Sequence, residues 1–90
     1  MANIIDFRFK VHDRPDDEIF IIKMAWQTSV EDAIPTIKQE MVTRYNQDSD
    51  IQLFVDIPNG PARELRPEDR ISRHFDIDRI EDGLILIYPQ

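Results

Sequence analysis

Hydrophobic and polar positions alternate most cleanly near the start of the chain. Asp6-Phe7-Arg8-Phe9-Lys10-Val11 runs polar, apolar, polar, apolar, polar, apolar. Successive side chains of a strand point to opposite faces. This stretch therefore predicts a half-buried strand with Phe7, Phe9 and Val11 inward and Arg8 and Lys10 outward. The polar, proline-containing HDRPDDE of residues 12–18 reads as a turn. IFIIKMAW, residues 19–26, is β-branched and aromatic. It predicts a second strand, antiparallel to the first across the short connection.

The period changes at Thr28-Ser29. Either hydroxyl can cap a helix, and Thr28 with Glu31 has capping-box spacing. Val30, Ala33, Ile34, Ile37, Met41 and Tyr45 then recur at helical spacing. Glu31 and Asp32 suit the positive start of such a helix, and Lys38 and Arg44 its end. Pro35 is the discordant residue. It lies beyond the first turn and has no N–H, so it predicts a kink or a later start in a helix of about four turns. NQDSD, residues 46–50, breaks the pattern. Ile51 to Val55 predicts a third strand, DIPNGP (56–61) a turn, and Ala62 to Leu65 a short strand. Arg66 to Asp69 reads as a further turn. Ile71, Phe75, Ile77 and Ile80 punctuate a polar loop and predict a short helical turn that closes the core. Gly83 leads into a last strand, Leu84 to Tyr88.

Hairpin, helix, then a later group of strands is an α+β order: one mixed sheet of four to five strands with one long helix across a face. KMAWQTSVEDA leads from hairpin to helix, LFVDIPNGPARELRPEDRIS holds the middle strands and loops, and IEDGLILIY ends the sheet. In the order and spacing of these segments the chain resembles the ubiquitin-like, or β-grasp, superfamily over nearly its whole length. No single short motif carries that resemblance. It implies that the last strand lies beside the first, that the second is an edge, and that the helix leaves one sheet face open.

Bulk composition narrows the classes. Ninety residues fit one domain, 1–90, and the absence of cysteine removes disulfides and thiolate metal sites. The formal net charge of -7 disfavours nucleic acid and anionic membranes as partners. The apolar runs are too short for a transmembrane helix, and no secretory signal is visible, so the expected location is cytoplasmic.

Catalytic chemistry finds little support. His12 falls in the hairpin turn and His74 in the late loop, where a partly exposed loop residue is the simplest reading. Ser29, Ser49 and Ser72 sit in no nucleophile-elbow context. DIDRIEDG (76–83) lacks the spacing of a calcium loop, and no glycine loop cradles phosphate. The expectation is a protein that is not an enzyme and carries no cofactor. Ubiquitin-like modifiers are conjugated through a terminal Gly-Gly. The stretch ending Pro89-Gln90 has none, so a third reading, a stand-alone ubiquitin-like protein, carries the expectation of no conjugation if residue 90 is the natural end.

What remains is the open sheet face. Ile19-Phe20-Ile21-Ile22 and Leu84 to Tyr88 carry apolar groups on both sides, unlike a strand with one wet face. Leu84 and Leu86 are the better partners for a helix, so Ile85 and Ile87 are read as outward. With Arg8, Lys10, Ile19, Ile21, Lys23 and Phe54 they form the expected partner-binding surface. The resemblance implies two uses for it. One is non-covalent docking of a protein partner on an apolar patch, as in an adaptor. The other follows the Ras-association, Ras-binding and first FERM subdomain branch. There the hairpin edge adds to the sheet of a small GTPase, and basic residues meet its acidic switch region. Arg8, Lys10 and Lys23 would supply that charge, with Lys38 from the helix. Trp26 is expected to cap the core between sheet and helix.

Overall fold

The computed structural model describes residues 3–57 and 60–90. Strand β1 is Ile4–Val11, β2 Phe20–Ala25, helix α1 Val30–Tyr45, β3 Ile51–Val55, β4 Arg63–Leu65 and β5 Ile85–Pro89. Short 3₁₀ turns occupy Asp16–Glu18, Ile71–His74 and Ile77–Asp82. Pro58 and Asn59, in the middle of the expected turn at residues 56–61, lie outside the described residues.

The five strands form one sheet in the order β2-β1-β5-β3-β4. β1 and β2 pair antiparallel with Phe7 opposite Ile22 and Arg8 opposite Ile21. β5 runs parallel to β1, Phe9 beside Ile85 and Val11 beside Ile87, and antiparallel to β3, Leu53 opposite Ile87. β4 closes the far edge against β3. Strand order and a single long helix are those of the β-grasp fold that the resemblance implies.

The core lies between the sheet and α1. Phe7, Phe9 and Val11 from β1 meet Val30, Ala33, Ile37 and Met41 from the helix, all buried. Phe20, Ile22 and Met24 of β2 join them, as do Leu53, Val55, Leu65 and Ile71. Trp26 stacks on Phe7 with ring centroids 6.1 Å apart and planes 5° from parallel, which closes one end of the core as expected. Ile71 is fully buried and Phe75 and Ile80 pack against the core, but Ile77 is exposed, contrary to the expectation for all four. The 3₁₀ path directs Ile77 away from the sheet while Ile80 turns towards it.

Backbone hydrogen bonds tie the helix start to a distant loop. Ser29, not Thr28, is the cap: its Oγ accepts from the Asp32 N–H at 3.1 Å. Thr28 is occupied, since its hydroxyl donates to the Ala25 carbonyl at 2.8 Å. A serine cap contributes about 1 kcal/mol. The Val30 N–H donates to the Asp69 carbonyl and the Glu31 N–H to that of Pro67, while the Ile71 N–H donates to Thr28. Three helix-start amides thus find acceptors without solvent. Pro35 lies inside α1 on its exposed side, where the missing N–H leaves the Glu31 carbonyl facing water rather than core. The helix ends at Asn46 in the left-handed conformation (φ 52°), which asparagine tolerates better than most residues.

Candidate functional site

The sheet face turned away from α1 is assembled by register. Lys10 neighbours Leu86, Leu86 faces Phe54, and Phe54 faces Glu64, so one row crosses β1, β5, β3 and β4. In the next row Tyr88 faces Gln52. The Tyr88 ring stacks on His12 at 4.1 Å between centroids and meets Phe54 edge-on at 4.8 Å. Leu86, Tyr88 and Phe54 are all half-buried. The centre of the open face is therefore an apolar and aromatic cluster, rimmed by Lys10, Gln52 and Glu64.

Ile85 and Ile87 do not belong to it. They are 1% and 0% exposed and face the helix, the reverse of the phase read from the sequence. The parallel register explains this, because Ile85 and Ile87 lie beside Phe9 and Val11, whose side chains point inward. The outward residues of β5 are Leu86 and Tyr88. One sequence signal could have identified them. Tyr88 shares its parity with Leu84 and Leu86, and a phenol hydroxyl favours the wet side of a sheet. His12, expected in the hairpin turn, and Tyr88 were not among the residues expected to form this surface.

Ile21 is 52% exposed on the outer face of β2, with Lys23 two residues on. Ile19 precedes β2 and is half-buried. Phe54 lies on the outer face as expected. Ile4 adds a further exposed apolar side chain at 63%. Ile4 and Ile21 border a shallow groove with Arg8 and, from the 3₁₀ turn, Ile80 and Glu81.

The four cations expected to meet an acidic partner each have an acceptor within the chain. Arg8 Nη1 donates to the Glu81 carbonyl at 2.6 Å. Lys10 pairs with Asp16 at 2.8 Å, Lys23 with Asp6 at 2.9 Å and Lys38 with Asp50 at 3.2 Å. The Lys10 side chain is only 15% exposed, so its stem lies along the surface and shields part of it. Lys10 holds the carboxyl of Asp16 below its usual range by hydrogen bond and charge. Carboxylates are interleaved with the cations, and the hairpin edge is no continuous positive stripe.

A second cluster sits beside the helix start. The His74 side chain is 8% exposed, more buried than a partly exposed loop residue, and its Nε2 lies 3.3 Å from Asp69 Oδ2. Burial would raise the Asp69 pKa. The His74 contact, the Arg66 N–H and the nearby charges of His74 and Arg73 outweigh it and hold the carboxyl below its ordinary value. A depressed folded pKa means that Asp69 stabilises the fold above the unfolded value of 3.8, and that this contribution is lost as pH falls through the folded value. The stability gap between the native chain and Asp69→Asn, measured by urea titration, should therefore narrow as pH falls below about 4. A gap unchanged down to pH 2 would show that Asp69 acts by geometry alone.

No protein-family model matches the sequence, and no curated protein sequence matches it. Among solved structures, the chain is similar to the solution structure of the C-terminal ubiquitin-like domain of mouse tubulin-specific chaperone e. The TM-score is 0.63 at 12% identity, covering 99% of this chain and 89% of that one. At such identity the likeness speaks for the fold, which is ubiquitin-like.

Proposed function

We propose that this β-grasp chain is a non-covalent protein-docking module whose partner sits on the open sheet face, centred on Leu86, Tyr88 and Phe54. The observation that carries the reading is the aromatic and aliphatic cluster on the face that the helix leaves uncovered. An apolar centre with a polar rim is the anatomy of a protein interface, and tyrosine and phenylalanine are enriched there. The exposed Ile4 and Ile21 extend the patch towards β2.

The test separates docking from folding. Leu86→Asp should cost about 1–2 kcal/mol, from lost cross-strand packing and poor strand propensity, well short of a core substitution. It should weaken binding of a purified partner by at least about tenfold, the loss of one central contact. Gln39→Asp on the exposed helix side should leave binding intact. Equal binding by native chain and Leu86→Asp would reject the open face as the docking surface.

A Ras-superfamily effector role is the second reading, favoured by the free outer edge of β2. The pairing of Lys10 and Lys23 with Asp16 and Asp6 lowers its support. Exposed pairs of this kind are weak and can be exchanged for a partner's carboxylates. Titration with GTP-loaded and GDP-loaded small GTPases discriminates: amide shifts at Arg8, Lys10 and Lys23 with the GTP form only would select it.

A further inference from the structure

A cavity of about 580 Å³ opens at the β4 edge, where Arg63, Arg66 and Arg73 converge from β4, the turn after it and the 3₁₀ turn at residues 71–74. Among the described residues, the guanidinium groups of Arg63 and Arg66 make no hydrogen bond or ion pair, and Arg73 approaches Asp69 only at 3.8 Å. The acceptors in the same cavity are mostly taken. Glu64 accepts from the Gln52 amide at 2.8 Å, and Asp69 Oδ2 is shared by His74 and the Arg66 N–H. Glu68 is the one lining carboxylate with no partner among the described residues. His74 also lines the cavity; its Nδ1 is buried, has no partner among the described residues and does not face the open volume. Free guanidinium donors, with every lining carboxylate but Glu68 already engaged, suit an anion.

We propose that this cavity binds a phosphate group, carried by a phosphorylated side chain of a partner protein or present as the free ion. A phosphomonoester brings close to two negative charges and three acceptor oxygens, a match for several guanidinium forks that a single carboxylate does not fill. A nucleic-acid backbone is disfavoured, because Glu64, Glu68 and the chain's net charge of -7 repel successive phosphates. The cavity adjoins the rim of the Leu86 cluster, since Glu64 borders both, but it does not depend on the docking reading.

Amide shifts of the labelled chain test it with three probes: inorganic phosphate, a short peptide with one phosphoserine among neutral residues, and its unphosphorylated twin. Phosphate or the phosphopeptide should shift the amides of residues 63–74 saturably, and the twin should not. Response to phosphate alone assigns the free ion, and response to the phosphopeptide alone assigns a protein partner; both uphold the site. Arg66→Ala should weaken binding about tenfold, the loss of one charge-assisted hydrogen bond. Glu68→Gln should tighten it by about threefold, the reach of one exposed charge. All these side chains are exposed, so the variants keep the fold. No saturable shift with either phosphate probe, or an unchanged isotherm in the Arg63→Ala, Arg66→Ala double variant, would overturn the proposal.

Discussion

Ile87→Asp is expected to remove much of the chain's stability. Ile87 is fully buried, between β1 and β3 in the sheet and under α1. Aspartate there removes an apolar side chain whose burial contributes about 1.5–3 kcal/mol. It also places a carboxyl among Val11, Leu53 and the helix, where no buried polar side chain among the described residues can receive it. The combined cost exceeds about 4 kcal/mol, against a total of about 5–10 kcal/mol for a domain of this size. The measurement is urea unfolding followed by circular dichroism, with amide dispersion as a second probe. Near-native stability would show that β5 sits in the opposite phase. Leu86→Asp, one residue away on the other face, is the control, and the contrast between them reads the orientation of β5 directly.

Gly83→Ala is expected to cost about 1–3 kcal/mol, the usual penalty for overpacking. The reason is room and not backbone freedom, since Gly83 has an ordinary extended conformation (φ -81°, ψ 144°). A Cβ there would lie 2.6 Å from two carbons of the Phe75 ring and 3.3 Å from the Ile80 carbonyl. The ring cannot swing away freely, because it packs against Phe7 at 6.3 Å between centroids. Thermal unfolding gives the loss, and a double-mutant cycle gives its cause. With Phe75→Leu in place, adding Gly83→Ala should cost measurably less than in the native chain. Additive losses would mean that the clash is with the Ile80 carbonyl and the backbone instead.

The sheet was legible where one side of a strand is polar. Arg8 and Lys10 mark the wet side of β1, and Lys23 marks that of β2. The run Leu84 to Tyr88 offers no charge, and a strand shifted by one residue exchanges its faces entirely. Its phase depends on pairing with Phe9 and Val11, a long-range register that local pattern does not contain. The helix was legible in its apolar spacing, but not in the choice between adjacent hydroxyls. Thr28 lost the cap to Ser29 because the preceding turn engages its side chain. The Asp69–His74 contact and the arginine-lined cavity depend on how an irregular loop folds back on the helix start. Residues 63–74 read in sequence only as a short strand, a turn and scattered charges. Their convergence is a property of the tertiary path.

The place of β5 in the sheet also orders the events of synthesis. β2 and β1 form one hairpin, β3 and β4 another, and the two never touch edge to edge; β5 lies between them with hydrogen bonds to both. On the ribosome, the inner edges of both hairpins remain open until residues 85–89 are made. The nascent chain thus carries two unpaired edges from the completion of β4 at Leu65 until β5 is made, the condition in which strands recruit foreign partners. Closure then requires contacts distant in sequence, which slows folding relative to a helical chain of equal length.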